Sequence, residues 1–266
     1  MMRGGVIGVL LVGLLAAIGI LSTPGASPPA RSGLEFFTVK YGAWGLARVR
    51  VLRFEPRAFE LRLLRPPEGA SLARVSQMPG CREALACING PFFDEEGGAP
   101  LGLLVSGNDV WQPLRAVTWG VFWADREGVP HVSVHDDFKS GVKAEQDVSF
   151  AIQSGPTTLL DSDVKKKDHT ELARRTAIGI DEQGRILVLV ANFPVKLASL
   201  AEFAKTKLAA RDLVNLDGGS STQLVVRGQQ NEPKVLGFPV AVGVGIYPRS
   251  ASSTSGDAPS KSASEK

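Results

Sequence analysis

The sequence predicts an α+β fold: a single domain of largely antiparallel mixed sheets with a few helices. Two observations carry that expectation. Short apolar runs with strand-like alternation, broken by glycine and proline punctuation, recur along most of the chain. Helical periodicity is confined to two segments, and neither an internal repeat nor a glycine–serine linker divides the middle. A length of 266 residues allows one large domain or two small ones, and 44% hydrophobic with 21% charged residues is ordinary for a domain that buries a core.

From the N-terminus, Arg3 precedes an uncharged apolar run over residues 6–21, and small residues and prolines follow through Ala30. Residues 1–30 therefore read as an export signal or, since no clean Ala-x-Ala site is visible, as an uncleaved N-terminal anchor. No cysteine follows the run, which excludes a lipoprotein anchor. The expected folded domain is 34–248. Residues 249–266 are mostly Ser, Ala, Pro, Gly and Lys with little to bury, and are expected to form a disordered tail. The expected location is periplasmic or extracellular.

Within the domain, strands are expected at 34–39, 46–54, 59–64, 117–123, 132–135, 148–152, 176–180, 186–190, 213–216, 223–226 and 240–246. The clearest alternation sets Arg48 and Arg50 against Ala47, Val49 and Val51, the period of a strand with one wet face. Asp181-Glu182-Gln183-Gly184 between two apolar runs is a hairpin signature. Helices are expected at 71–78 and, more strongly, at 197–211, where Leu200, Phe203, Ala204 and Leu208 fall on one face.

A formal charge of +3 without a dense basic stripe gives no reason to expect a nucleic-acid partner, and Lys165-Lys166-Lys167 reads as a solvated loop. Membrane contact is expected only through the N-terminal segment, if it is uncleaved. Several reaction centres are absent: there is no Gly-x-Ser-x-Gly elbow, His-Glu-x-x-His, Gly-x-x-x-x-Gly-Lys or dinucleotide fingerprint. The three histidines, His131, His135 and His169, fall in or beside a surface strand and in a charged loop, which supports neither a serine hydrolase nor a zinc site. No metal ligands are assigned, and the cofactor requirement is open. In an exported chain, Cys81 and Cys87 most simply form one disulfide, with a pair of buried free thiols as the alternative. Positions six apart on a continuous helix cannot bridge, so a bond requires the chain to turn between a short helix and a strand into Asn89.

The most informative stretch is Leu213-Val214-Asn215-Leu216-Asp217-Gly218-Gly219-Ser220-Ser221-Thr222-Gln223-Leu224. An apolar strand ends on a carboxylate, and two glycines and three hydroxyls follow. Glycines reach positive φ cheaply, so neighbouring N–H groups can converge on one acceptor. The same dipeptides also make tight turns. Four other segments share this character: Ile88-Asn89-Gly90-Pro91-Phe92-Phe93-Asp94, Pro100-Leu101-Gly102-Leu103-Leu104-Val105, Ala151-Ile152-Gln153-Ser154-Gly155-Pro156 and Arg174-Arg175-Thr176-Ala177-Ile178-Gly179-Ile180-Asp181.

In this order the five segments resemble the phosphodiester glycosidase family, over roughly residues 89–247. Ser220 stands where family members often have a third glycine, and Pro91 where they have a small residue. The resemblance implies hydrolysis of a sugar-1-phosphodiester, for instance in envelope glycopolymers or exopolysaccharide, with a sugar-phosphate or polysaccharide as partner. A non-catalytic carbohydrate-binding or envelope-assembly module with the same cleft is the alternative.

That reaction breaks C1–O and expels a phosphate monoester that is already a stable anion, so it depends less on a strong general acid than ordinary glycoside cleavage. It needs a carboxylate at C1 and fixed positive character at the phosphate. Asp217 is the first candidate carboxylate and Asp94 the second. Arg175 suits the phosphate as a planar fork. The N–H groups around Gly218, Gly219 and Ser220, with the Ser221 hydroxyl, are candidates to share the anion. Asn89 and Gln153 are candidates for sugar hydroxyls. Structural alternatives stand beside these roles: Asp217 as a turn cap, Arg175 as a partner of Asp181 or Asp217, and Asn89 as the clasp of its own loop. Phe92 and Phe93 read as core or pocket wall, Arg174 as the outward neighbour of Arg175, and Thr157 and Thr158 as ordinary strand residues.

Overall fold

The computed structural model describes residues 33–42, 44–94, 96, 98–142, 147–165, 171–228 and 234–249. The expected export segment at 1–30, the tail beyond residue 249, Lys166, Lys167 and His169 lie outside them.

Three antiparallel sheets enclose one core. The first has seven strands, in the spatial order β1 (Leu34–Tyr41), β2 (Ala47–Phe54), β13 (Ile186–Val195), β12 (Ala173–Asp181), β14 (Ala210–Asn215), β10 (Thr157–Leu160) and β11 (Asp163–Val164). The second runs β16 (Lys234–Val235), β15 (Leu224–Val226), β4 (Ala86–Asn89), β17 (Gly243–Pro248) and β3 (Phe59–Leu64). The third runs β6 (Asp109–Gln112), β5 (Leu104–Ser106), β9 (Val148–Ser154), β7 (Gly120–Asp125) and β8 (Pro130–Val134). Two helices accompany them among the described residues, α1 (His135–Gly141) and α2 (Leu197–Leu208). The α+β description therefore fits only loosely, because sheet dominates. The antiparallel expectation holds at every registered strand pair, from β1–β2 to β7–β9.

The central core draws Leu52 and Phe54, Ile178 and Val188 from the first sheet, Leu61, Ile88 and Ile246 from the second, and Leu104, Phe122 and Ile152 from the third. Each sheet's outer face has its own cover. Leu200, Phe203, Ala204 and Leu208 of α2 pack on Val49, Leu187, Leu189 and Leu213. Phe138 of α1 packs on Val121, Val148 and Ala151. The segment with Val75, Met78 and Cys81 packs on Cys87, Val225 and Tyr247. This double covering changes the reading of β2. Arg48 and Arg50 lie on its wetter face, but further along Val51 and Leu52 are both buried, facing different cores.

The differences from the expected elements have local causes. Residues 71–78 form only a 3₁₀ turn, Val75–Gln77. Their backbone groups have partners elsewhere: Ala73 and Val240 exchange hydrogen bonds, and the Val75 N–H donates to Gln223 Oε1 at 3.1 Å. Helix α2 stops at Leu208, short of residue 211, because Ala209 takes a left-handed conformation (φ 53°) and Ala210 joins β14. His135, expected in a strand, instead opens α1, whose first turn carries Asp136 and Asp137 where acids favour a helix N-terminus. Strand β7 begins at Gly120 and not at Val117. The 181–184 hairpin is present. The Gly184 N–H donates to the Asp181 carbonyl at 3.0 Å, and Asp181 Oδ1 accepts from the N–H groups of Gln183 and Arg185.

Cys81 and Cys87 form a disulfide with Cα atoms 5.9 Å apart. The chain turns through the 3₁₀ segment Pro79–Arg82 before entering β4, so the two Cα atoms come within reach. Closing so short a loop stabilises by about 2 kcal/mol. Cys81→Ser is therefore expected to lower the denaturation midpoint modestly while leaving a cooperative unfolding transition. Mass measurement after alkylation without reduction, finding two modified thiols, would show that the bond is absent.

Candidate active site

Asp217 sits just past the end of β14, where the first sheet meets the second. Its backbone is clasped from both sides by the end of β4. The Asp217 N–H donates to the Gly90 carbonyl at 3.3 Å, and the Asp217 carbonyl accepts from Asn89 Nδ2 at 2.7 Å. Gly90 is itself pressed against Val242, whose carbonyl oxygen accepts from the Gly90 N–H at 2.8 Å and would lie 2.7 Å from a Cβ there. Asn89 is fully buried, and its side-chain oxygen accepts from the Thr176 hydroxyl at 2.8 Å and the Gln223 N–H at 3.0 Å. One amide thus ties β4, β12, the Asp217 segment and the start of β15. Of the alternatives for Asn89, a clasp is what the geometry displays, and it holds the neighbouring Asp217 loop.

The loop turns tightly after Asp217. Asp217 Oδ1 accepts from the Gly218 N–H at 2.8 Å, and the Ser221 N–H donates to the Gly218 carbonyl at 3.0 Å. Gly219 has φ +57° with nothing within 4 Å of where a Cβ would point, and Ser220 is exposed. Ser221 is buried in the short turn Gly219–Ser221. Asp217 and Gly218 are half-buried, at a depth suited to a reacting carboxylate with a solvent route.

Arg175 and Arg174 enclose this loop. A Cβ on Gly218 would meet the Arg174 carbonyl oxygen at 2.7 Å and Arg175 Cδ at 3.7 Å. The Arg175 guanidinium is buried, with Nε donating to the Val195 carbonyl at 3.3 Å and Nη2 to the Glu171 carbonyl at 2.9 Å. Burial lowers its pKa from the ordinary arginine value, and the Glu171 charge opposes that shift. The pairing of Arg175 with Asp181 does not occur. Asp181 lies at the opposite end of β12 and is held by Arg185 at 2.8 Å and Arg53 at 3.5 Å. Arg174 is not the outward neighbour. Its Nη2 donates to the carbonyls of Thr222 and Leu236, and burial lowers its pKa too. Adjacent residues do face opposite ways here, but both faces of this strand end are covered.

Gln153, on β9, ties together loops that flank the third sheet itself. It is fully buried, with Oε1 accepting from the N–H groups of Leu103 (3.1 Å) and Arg115 (2.9 Å) and Nε2 donating to the Arg115 carbonyl at 2.8 Å. Two residues on, the Gly155 carbonyl accepts from Asn215 Nδ2 at 3.0 Å, which sets this segment beside the end of β14. Asp94 is exposed in its own turn, with Oδ1 accepting from the Glu96 N–H at 3.3 Å. Phe92 packs on Trp119 with ring centroids 5.3 Å apart, and Phe93 packs against the core as a wall residue.

Five buried polar atoms on these segments have no partner among the described residues: Ser154 Oγ, Thr157 Oγ1, Arg174 Nε, Asn215 Oδ1 and Thr222 Oγ1. Native interiors leave few such groups, so ordered water or a ligand is expected to meet them. A cleft of about 570 Å³ is lined by Val134, His135, Lys165 and, of these residues, Thr157 alone. Asp217 does not line it. Among the described residues, no three His, Cys, Asp or Glu side chains come together as a metal site. Reading the sequence missed the roles of Thr176, Gln223 and Arg174. All three lie in the quoted segments, but their partners are far away along the chain, such as Asn89 for Gln223.

The family model for phosphodiester glycosidases matches residues 82–247, which contain all of these elements. The chain belongs to the phosphodiester glycosidase family. The family assignment gives a glycosidase-type, hydrolase-like class. The chain is 28% identical over 143 residues to the uncharacterised protein YigE of Escherichia coli K12. That match covers 49% of this chain and 54% of YigE, so it spans about half the relative's length.

Solved structures share the fold. The zebrafish N-acetylglucosamine-1-phosphodiester alpha-N-acetylglucosaminidase catalytic domain, described as auto-inhibited by its pro-peptide, superposes with a TM-score of 0.63 at 18% identity, covering 85% of each chain. A hypothetical protein from Synechocystis gives 0.62 at 15% identity, over 82% of this chain and 62% of that one. A putative exported protein from Burkholderia pseudomallei gives 0.55 at 15% identity, over 76% and 74%.

Proposed function

We propose that this family member is an exported hydrolase that cleaves sugar-1-phosphodiesters, such as those of envelope glycopolymers or exopolysaccharide. The observation that carries the reading is the Asp217 loop. A half-buried carboxylate is fixed through its own backbone N–H and carbonyl, with the Arg175 side chain against the glycine that follows it. The Cys81–Cys87 disulfide supports folding in an oxidising compartment.

In this reading Asp217 supplies negative charge at C1, attacking it or steadying the oxocarbenium-like state. Arg175 supplies positive charge at the departing phosphate. A guanidinium has five N–H donors, of which the Val195 and Glu171 carbonyls engage Nε and Nη2. The N–H groups of Gly219 and Ser220 and the Ser221 hydroxyl add donors for the same anion, while the Gly218 N–H orients the Asp217 carboxylate. Asn89 and Gln153, whose amides are engaged with the chain, act as positioning residues. Asp94 remains the second carboxylate to test.

The test is release of free sugar and 4-nitrophenyl phosphate from a 4-nitrophenyl sugar-1-phosphodiester by the purified chain, with added phosphatase converting the aryl phosphate to coloured 4-nitrophenolate. A carbohydrate-binding module would bind and protect this ligand without releasing product. Arg175→Lys is expected to lower kcat/KM roughly 10- to 150-fold, the loss of one charge-assisted hydrogen bond of about 1.5–3 kcal/mol. Lysine keeps the charge but not the planar two-point grip. Affinity for the free sugar should be unchanged, and equal loss on both ligands would reduce Arg175 to a structural support.

A further inference from the structure

Strand register places the most exposed apolar side chains of the described residues at one end of the molecule. Val49, Ala191 and Arg175 align across β2, β13 and β12, so the β1–β2 turn and the start of β12 lie at the same edge of the first sheet. The Asp217 loop leaves β14 at this edge. Trp44 and Leu46 in the turn are 89% and 90% exposed, Leu172 before β12 is 61% exposed, and Leu236 and Phe238 are 68% and 67% exposed.

The last two are held in place. The Phe238 N–H donates to the Ser220 carbonyl at 2.8 Å and its carbonyl accepts from Gln223 Nε2, while the Leu236 carbonyl accepts from Arg174. Their exposure therefore comes from a tied segment.

Beside Leu172 the end carries one exposed acid, Glu171, but the charges flanking Trp44 and Leu46 are basic. Lys40 and Arg48 stand directly opposite each other on β1 and β2, both exposed, just behind Trp44 and Leu46. Like charges directly across an antiparallel pair repel. Neither has an acidic partner among the described residues, and an anionic surface would relieve the repulsion. On the other side of the edge, exposed Arg74 donates from Nε to the Gly237 carbonyl, between Leu236 and Phe238. β2 and the start of β12, where Arg174 holds the Leu236 carbonyl, are two strand spacings or about 10 Å apart. Tryptophan and leucine at the tip with cations one step behind match the apolar and anionic levels of a lipid head-group region.

We propose that the end of the molecule bearing the Asp217 loop docks on an anionic lipid surface, with Trp44 and Leu46 at the head-group level. This contact is additional to any made by the N-terminal apolar run, and it does not depend on hydrolytic activity.

The test uses the full chain with vesicles of phosphatidylglycerol and bromine-labelled phosphatidylcholine, read as quenching of tryptophan fluorescence. The other three tryptophans, Trp111, Trp119 and Trp123, are only partly exposed. Wild-type protein is expected to be quenched, and Trp44→Phe to lack that quenched component. Lys40→Ser combined with Arg48→Ser is expected to raise the half-quenching lipid concentration roughly 25-fold, about fivefold for each basic residue near an anionic bilayer. Equal quenching of wild type and Trp44→Phe would overturn the proposal, since the N-terminal run would then account for all contact. Equal quenching of wild type in vesicles without phosphatidylglycerol would overturn it as well, and so would no quenching in either.

Discussion

Asp217→Asn is expected to reduce kcat/KM on a sugar-1-phosphodiester by on the order of 10³-fold or more, the scale of losing a group that acts mainly in the transition state. The amide is nearly isosteric and keeps an oxygen that can accept from the Gly218 N–H, as Asp217 Oδ1 does at 2.8 Å. The clasp to Asn89 and Gly90 uses the Asp217 backbone, which the substitution leaves in place. The fold should therefore survive, with an unchanged denaturation midpoint and retained ligand binding. Wild-type turnover in Asp217→Asn would make this residue a turn cap and nothing more. Asp94→Asn, at an exposed turn, is the matched comparison. If it alone abolished turnover, the two carboxylates would exchange roles.

Asn89→Ala is expected to affect stability and activity together. The change leaves the Gln223 N–H and the Asp217 carbonyl without their partner and removes the acceptor of the Thr176 hydroxyl. Each buried polar group left unpaired costs about 1–3 kcal/mol, so the two backbone groups together imply roughly 2–6 kcal/mol. Urea denaturation measures this directly, and a loss below about 1 kcal/mol would show that water replaces the amide without difficulty. Thr176→Val offers a graded control. It removes a single hydrogen bond and is expected to cost about 1 kcal/mol, with Asp217 still clasped. Where Asn89→Ala remains folded, its kcat should fall more than its affinity for free sugar, because the Asp217 backbone is no longer anchored to Asn89.

The physical content of the sequence is local, and its successes were local. Alternation and turn residues placed β1, β2, β3 and the 181–184 hairpin, because side-chain period and glycine punctuation act over a few residues. The same locality explains the failures. Residues 71–78 have helical spacing, yet the Ala73 and Val75 N–H groups are claimed by Val240 and Gln223, both more than 140 positions away. Strand alternation alone turns Arg174 to solvent, but the Thr222 and Leu236 carbonyls accept from its guanidinium and cover its face. Asn89 was legible as a polar residue at a strand end. That its oxygen bonds Thr176 and Gln223 was not, since no periodicity encodes a partner in another sheet.

By itself, then, the sequence determined a sheet-rich domain, the order of five polar segments along it, a cysteine pair spaced for a short turn and the family to which those segments belong. Only the tertiary structure decided that the end of β14 lands against the end of β4, that one buried asparagine clasps the Asp217 backbone, and that Arg175 lies beside Gly218 and far from Asp181. The physical reason is that hydrogen-bonding capacity in a buried seam must be filled by whatever the packing of three sheets brings near. That packing is set by the apolar faces of every strand at once, and no single segment contains it.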